Sequence, residues 1–121
     1  MGEINVLCID DEGELVSALV ERLQIRGIEA EGVTNGHDAI KRVTEKRFDV
    51  IILDIKMPGI SGFEIMKRIK NEKPEIPIIL ITGHQCIDDE DEGMIAGSFE
   101  CLVKPVDIEV LVAKIMKAVK S

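Results

Sequence analysis

Tyrosine and tryptophan are absent from this sequence, which leaves three phenylalanines as its large aromatic side chains. A protein without either residue is a poor carrier for a stacked flavin ring. The cysteines Cys8, Cys86 and Cys101 are scattered and form no C-x-x-C pair, so neither a disulfide framework nor a zinc site is supported. Long apolar runs and an export signal are also missing, so we expect no membrane span and a cytoplasmic location.

The bulk composition predicts one compact domain over residues 1–121. Hydrophobic residues make up 45% of the chain, which is enough for a core and excludes a disordered tail. The formal net charge is −8, and such a surface disfavours direct contact with the nucleic-acid backbone. If the protein affects transcription, we therefore expect a partner or a separate domain to touch the DNA.

Apolar runs alternate with helical patterns about five times, which predicts an α/β domain with a parallel sheet. The predicted strands are Ile4–Ile9, Ile28–Val33, Val50–Leu53, Ile76–Ile81 and Phe99–Val103. The predicted helices run from about Glu14 to Arg26, from a cap at Asn35, from a capping box of Ser61 and Glu64, and from a cap at Asp107.

The second predicted strand alternates apolar and acidic residues, which is typical of a strand near an edge. The third and fourth are continuously apolar, as in central parallel strands. With right-handed crossovers, these patterns predict a doubly wound sheet of order 2-1-3-4-5. In such a sheet, ligands bind outside the carboxyl ends of the strands where the winding reverses, between the first and third strands.

Polar side chains follow the predicted strands at that same rim. Asp10 and Asp11 close the first apolar run and Asp54 closes the third, while Thr82 and Lys104 close the fourth and fifth. Three carboxylates brought together repel one another, and a hard divalent cation such as Mg²⁺ relieves the repulsion. Carboxylates, a divalent cation and a lysine together indicate phosphoryl chemistry.

At this point the chain resembles a response-regulator receiver domain of two-component signalling. The resemblance covers the whole chain and implies a single flavodoxin-like (βα)5 fold. Each motif is weak alone, but their order at successive strand ends makes the set specific. The matching residues are Asp10-Asp11, Asp54 with Lys56-Met57-Pro58 and Gly62, Thr82-Gly83, Gly97 and Lys104-Pro105.

The resemblance implies a Mg²⁺ site. Asp11 and Asp54 match side-chain ligands of the ion, and Asp10 matches a residue that holds it, often through water. Lys56 matches the position whose main-chain carbonyl completes the metal shell, so its side chain need not matter there.

The resemblance also implies roles around the phosphoryl group. Asp54 matches the phosphoacceptor, Lys104 matches the cation that contacts the phosphoryl oxygens, and Thr82 matches the hydroxyl that signals the modified state. Pro105 matches a proline that follows a cis peptide bond. The implied partner is a sensor histidine kinase or a histidine phosphotransfer protein, and the sequence identifies neither it nor the downstream effector. The implied domain catalyses only its own phosphorylation and dephosphorylation, so we do not expect an enzyme with an external substrate.

Two features depart from the family pattern. The family usually has Tyr or Phe three residues before the lysine that matches Lys104, as the second half of the switch that responds to phosphorylation. This chain has Cys101 there, which puts the aromatic half of that switch in doubt. The five consecutive acids of 88–92 are followed by Gly93 in the segment that should hold a helix. We therefore expect that helix to be short or mobile.

Two other functions fit parts of this pattern. A phosphohydrolase of the haloacid dehalogenase type also uses an aspartate nucleophile and Mg²⁺, but it needs a second acid two residues later, where this chain has Lys56. A flavodoxin-like FMN carrier is a poor alternative, because this chain has no Trp or Tyr to stack on the flavin ring. His84, two residues after Thr82, is more readily explained as an exposed loop histidine than as a group that transfers protons.

Overall fold

The computed structural model describes residues 3–55, 62–83 and 100–120. Within these ranges five strands alternate with four helices. The strands are β1 (Asn5–Ile9), β2 (Glu29–Val33), β3 (Val50–Asp54), β4 (Ile78–Thr82) and β5 (Glu100–Val103), and the helices are α1 (Gly13–Ile25), α2 (Gly36–Glu45), α3 (Gly62–Glu72) and α4 (Ile108–Lys120).

All five strands are parallel and form one sheet of order β2-β1-β3-β4-β5. The predicted strand order is therefore confirmed, with β2 and β5 at the edges. Strands β1 and β3 are neighbours, so the residues that follow β1 and close β3 lie at the same rim of the sheet. The helix predicted after β4 and the Ser61 capping position lie outside the described residues.

The strand boundaries differ from the prediction mainly at β4. The prediction began at Ile76, whereas the strand begins at Ile78. Pro77 has no N–H to donate to the ladder, so it acts only as an acceptor, and its carbonyl receives the Ile51 N–H at 3.1 Å. Ile76 is still buried, so its apolar character reflects packing beneath the sheet and not strand pairing.

Two predicted helix caps are confirmed. The Asp38 N–H donates to the Asn35 side-chain oxygen at 2.8 Å, which begins α2, and the Glu109 N–H donates to Asp107 Oδ1 at 2.8 Å, which begins α4. Each cap satisfies a helix N–H that has no partner within the helix. Gly27 follows α1 with a φ of 81°, a left-handed conformation that glycine adopts without strain.

The core has two layers, one on each face of the sheet, because successive strand residues point to opposite faces. Helices α2 and α3 cover one face, and α1 and α4 cover the other. Among the described residues, none of the helices has both the length and the apolar character that crossing a membrane requires. The fully buried centre of the first layer includes Leu7, Ile9, Ile51, Leu53, Ile65, Ile78 and Leu80, and that of the second includes Val6, Leu23, Val50, Ile79, Leu111 and Ile115.

Cys8 lies in the second layer and is a core residue. Burial first, and then the charge of Asp10, raise the pKa of its thiol to about 12. The thiol is therefore protonated at pH 8, and a thiolate is the form that reacts. We expect a Cys86→Ser/Cys101→Ser variant to resist Ellman's reagent at pH 8 until it is unfolded with guanidinium. Rapid reaction of the folded variant would contradict this burial.

Candidate functional site

The polar residues predicted from the sequence lie at the carboxyl ends of four strands. Asp10 follows β1, Asp54 closes β3, Thr82 closes β4, and Lys104 follows β5. Main-chain hydrogen bonds hold these ends together. The Lys104 N–H donates to the Thr82 carbonyl at 2.7 Å, and the Asp10 N–H donates to the Val33 carbonyl at 3.2 Å. The sheet therefore fixes the main-chain position of each of these four residues.

Lys104 is the centre of the charged contacts. Its Nζ lies 3.0 Å from Asp10 Oδ2, 3.5 Å from Asp54 Oδ2 and 3.9 Å from Glu12 Oε1. The Asp54 side chain is only 5% exposed, whereas those of Asp10 and Lys104 are 16% and 24% exposed. Lys104 thus joins the carboxylates that follow β1 to the buried carboxylate at the end of β3.

The surroundings of Lys104 stabilise its charged form. Partial burial acts to lower its pKa, but the hydrogen bond to Asp10 and the charges of Asp54, Asp10 and Glu12 outweigh it and raise the pKa. The ammonium is therefore a permanent cation at neutral pH. A fixed positive charge beside a buried carboxylate can bind the oxygens of an incoming phosphoryl group.

Asp10, Asp11 and Glu12 bring one carboxylate oxygen each within 4.8 Å of one another. Asp54 is not part of this group but is connected to it through Lys104. The predicted metal residues are therefore divided between the partly buried Asp10 and the exposed Asp11 after β1 and the buried Asp54 at the end of β3. Glu12 was not among the residues predicted from the sequence, although the run Asp10-Asp11-Glu12 directly after a strand is a signal that indicates it.

The residues present fit a Mg²⁺ ion. Mg²⁺ prefers hard oxygen ligands, usually one or two carboxylates completed by water and by phosphate oxygens. Asp10 and Asp11 supply such oxygens at the end of β1, and Asp54 supplies another from the interior. Lys56, whose main-chain carbonyl is the fourth predicted ligand, lies outside the described residues.

Thr82 is fully buried at the end of β4 and is paired in register with Val103 of β5. Cys101 is paired with Leu80 and packs, half-buried, against the core layer under α2 and α3. Because residues two apart share a face of the sheet, Thr82 and Cys101 lie on the same face. A small thiol therefore occupies the position at which the family usually places an aromatic ring.

The Lys104–Pro105 peptide bond is cis, as the resemblance implies. Four other features lie outside the described residues: His84, the matching pair Met57-Pro58, Gly97 and the acidic run of 88–92.

The model of the response regulator receiver domain family matches residues 6–116. The chain belongs to this family. It is 31% identical over 110 residues to the transcriptional regulatory protein PrrA of Mycobacterium tuberculosis, a match that covers 91% of this chain and 47% of PrrA. The chain thus spans about half the length of this relative.

Solved receiver structures agree with the fold. A response-regulator receiver domain protein from Clostridium thermocellum is 34% identical, with a TM-score of 0.89 and coverage of 97% of this chain and 94% of the other. The response regulator TrrA from Thermotoga maritima, solved in complex with Mg²⁺ and BeF, is also 34% identical, with a TM-score of 0.84 and coverage of 95% and 98%.

These findings confirm that the chain is a receiver domain of two-component signalling with a flavodoxin-like fold. Phosphorylation and the use of Mg²⁺ are general features of the family, and receipt of a phosphoryl group implies a phosphodonor partner such as a kinase. PrrA is named as a transcriptional regulatory protein, so the comparisons do not support the expectation that this protein avoids direct contact with nucleic acid.

Proposed function

We propose that Asp54 is the phosphoacceptor of this receiver domain and that Asp10, Asp11, Asp54 and the Lys56 carbonyl together hold Mg²⁺. The donor is the phosphohistidine of a sensor histidine kinase or a histidine phosphotransfer protein. The observation that supports this most strongly is the contact at the end of β3, where the Asp54 carboxylate is buried and lies 3.5 Å from Lys104 Nζ.

The chemistry suits a carboxylate nucleophile. An Asp54 oxygen forms the new bond to phosphorus, the phosphorus–nitrogen bond of the donor breaks, and the imidazole leaves with the electron pair and takes up a proton. Lys104 donates hydrogen bonds to the phosphoryl oxygens and balances their charge. When bound, Mg²⁺ neutralises the negative charge that the carboxylates and the phosphoryl group bring together.

Thr82 is positioned to report the modification. It closes the strand next to β3, and the Ile55 N–H, directly after Asp54, donates to the Ile81 carbonyl at 3.0 Å. A phosphoryl group on Asp54 adds acceptor oxygens near the Thr82 hydroxyl. A contact made only in the phosphorylated state shifts the balance between two conformations, and that shift is the signal.

The phosphodonor has a suitable surface beside the site. A largely apolar groove of about 430 Å³ is lined by α1, by the segment after β5 and, at the rim of the sheet, by the charged residues Asp10 and Lys104. Leu15 on its rim is 47% exposed. A helix that carries a phosphohistidine can bury apolar residues here while its phosphoryl group reaches the charged end. The proposed setting is the cytoplasm, and the domain modifies only itself.

A reaction with acetyl phosphate and Mg²⁺ tests this function. A receiver domain gains a single phosphoryl group per chain, seen as one added mass by intact-protein mass spectrometry. A phosphohydrolase of the haloacid dehalogenase type instead turns over many phosphate esters repeatedly without retaining the group. Sustained release of phosphate from several esters would overturn the proposal.

Mg²⁺ itself should stabilise the fold. A ligand at a hundred times its Kd adds about 2.7 kcal/mol to the free energy of unfolding when it binds only the folded state. We therefore expect the melting temperature to rise with MgCl₂ but not with NaCl of equal ionic strength. Asp11 is exposed, so Asp11→Asn should fold normally and lose most of this rise. An equal rise in the variant would exclude Asp11 as a ligand.

A further inference from the structure

Glu12 lies between the proposed metal residues and α1, and neither the resemblance nor the proposed function gives it a role. Its main chain is held on both sides. The Glu12 N–H donates to Asp10 Oδ1 at 3.0 Å, and its carbonyl accepts the Val16 N–H at 3.0 Å. Its side chain makes no capping hydrogen bond to α1, although Glu12 occupies the N-cap position. The carboxylate therefore does not cap α1, which is the usual role of a side chain at the N-cap position.

The Glu12 carboxylate instead faces Lys104. The distance from Oε1 to Lys104 Nζ is 3.9 Å, and the Glu12 side chain is 62% exposed. Asp10 and Asp54 contact the same ammonium but are far less exposed, at 16% and 5%. Glu12 is thus the partner of Lys104 on the solvent side of the site.

The two oxygens of Asp10 have different partners, which creates a competition. Oδ1 accepts the Glu12 N–H, while Oδ2 accepts a hydrogen bond from Lys104 at 3.0 Å. A cation that binds Asp10 competes with Lys104 for this carboxylate. Lys104 then needs another negative partner, and among the described residues Glu12 is the acid in contact with it that the proposed function does not assign to the metal or to the phosphoryl group.

We infer that Glu12 is a positioning residue that accepts Lys104 when a divalent cation draws Asp10 away from it. This inference rests on the proposed function, because it requires that the cation use Asp10. Glu12 lowers the free energy needed to release Lys104 from Asp10 and keeps the ammonium beside Asp54. It acts through Lys104 and not as a ligand of the metal.

The test is the Kd of Mg²⁺, measured by calorimetry in a double-mutant cycle of Glu12→Gln and Lys104→Met. An exposed ion pair of this kind corresponds to about a two- to fivefold change in an equilibrium constant. We expect Glu12→Gln to weaken Mg²⁺ binding by about that factor in the wild-type background and to have no effect in the Lys104→Met background. Glu14→Gln, which removes a nearby exposed charge outside the acid cluster, is the matched control and should leave the Kd unchanged.

An NMR measurement distinguishes a change in the position of Lys104 from a general effect of losing the Glu12 charge. The NMR signals of the Lys104 Cε–Hε group should shift when Mg²⁺ is added to the wild type, and they should end at a different position in Glu12→Gln. An unchanged Kd in Glu12→Gln would overturn the inference, as would an equal loss in both backgrounds, because the latter means that Glu12 acts directly on the cation. If the wild type binds no Mg²⁺, the proposed function itself fails, and the two failures are therefore distinguishable.

Discussion

Asp54→Asn should abolish phosphorylation of this protein by acetyl phosphate. The amide is a far weaker nucleophile than the carboxylate, and it removes the charge that lies 3.5 Å from Lys104. The added mass seen with the wild type should be absent from the variant at every time of incubation. The asparagine has almost the same size as the aspartate, so the buried end of β3 should keep its packing.

Asp49→Asn is the matched control for this experiment. Asp49 lies just before the same strand, at the opposite end from Asp54, and its Oδ2 accepts the Asn5 N–H at 2.8 Å. An asparagine retains an acceptor oxygen there, so we expect normal phosphorylation. Phosphorylation of Asp54→Asn at the wild-type rate would place the acceptor elsewhere in the chain.

Gly62→Ala should destabilise the protein and slow its phosphorylation. A Cβ atom at Gly62, the first residue of α3, would lie 2.6 Å from the Ile55 carbonyl oxygen and 3.0 Å from the Ile55 Cα. Both are main-chain atoms, so relief requires that α3 or the end of β3 move. We expect the free energy of unfolding, measured by urea denaturation, to fall by about 1–3 kcal/mol. Because Ile55 directly follows Asp54, the movement should also slow modification by acetyl phosphate.

Gly13→Ala provides the comparison for this second substitution. Gly13 is the first residue of α1, as Gly62 is of α3. Within the described part of the chain its added Cβ would meet only the Thr34 Cγ2 atom at 3.9 Å, an ordinary contact. Alanine also forms helices better than glycine does. Gly13→Ala should therefore be as stable as the wild type or more so. Equal stability of the two variants would show that the close contact between the added Cβ of residue 62 and Ile55 does not destabilise the protein.

The order of the sheet could be predicted because the strands differ visibly in their apolar patterns. The alternating pattern of β2 places it at an edge, and the unbroken apolar runs of β3 and β4 place them at the centre. The rim that carries Asp10, Asp54, Thr82 and Lys104 follows from this order, because parallel strands share the direction in which they end.

The contacts within the rim could not be predicted in the same way. Lys104 is closer to Asp10 than to Asp54, and this difference depends on side-chain conformations that no spacing in the sequence encodes. Glu12 has an extended backbone, with φ −88° and ψ 98°, just before α1 begins, and its side chain contacts Lys104 from there. The start of β4 was predicted at Ile76 and not at Ile78 because the apolar run continues through Pro77, which cannot donate a main-chain hydrogen bond and so interrupts strand pairing.

A crystal structure of the protein with Mg²⁺ and beryllofluoride tests the central claim most directly. We expect one Mg²⁺ ion bound by oxygens of Asp11 and Asp54 and held by Asp10, directly or through water, with beryllofluoride on the Asp54 carboxylate in contact with Lys104. A cation held by Asp10, Asp11 and Glu12 without Asp54, or beryllofluoride bound at another residue, would contradict it.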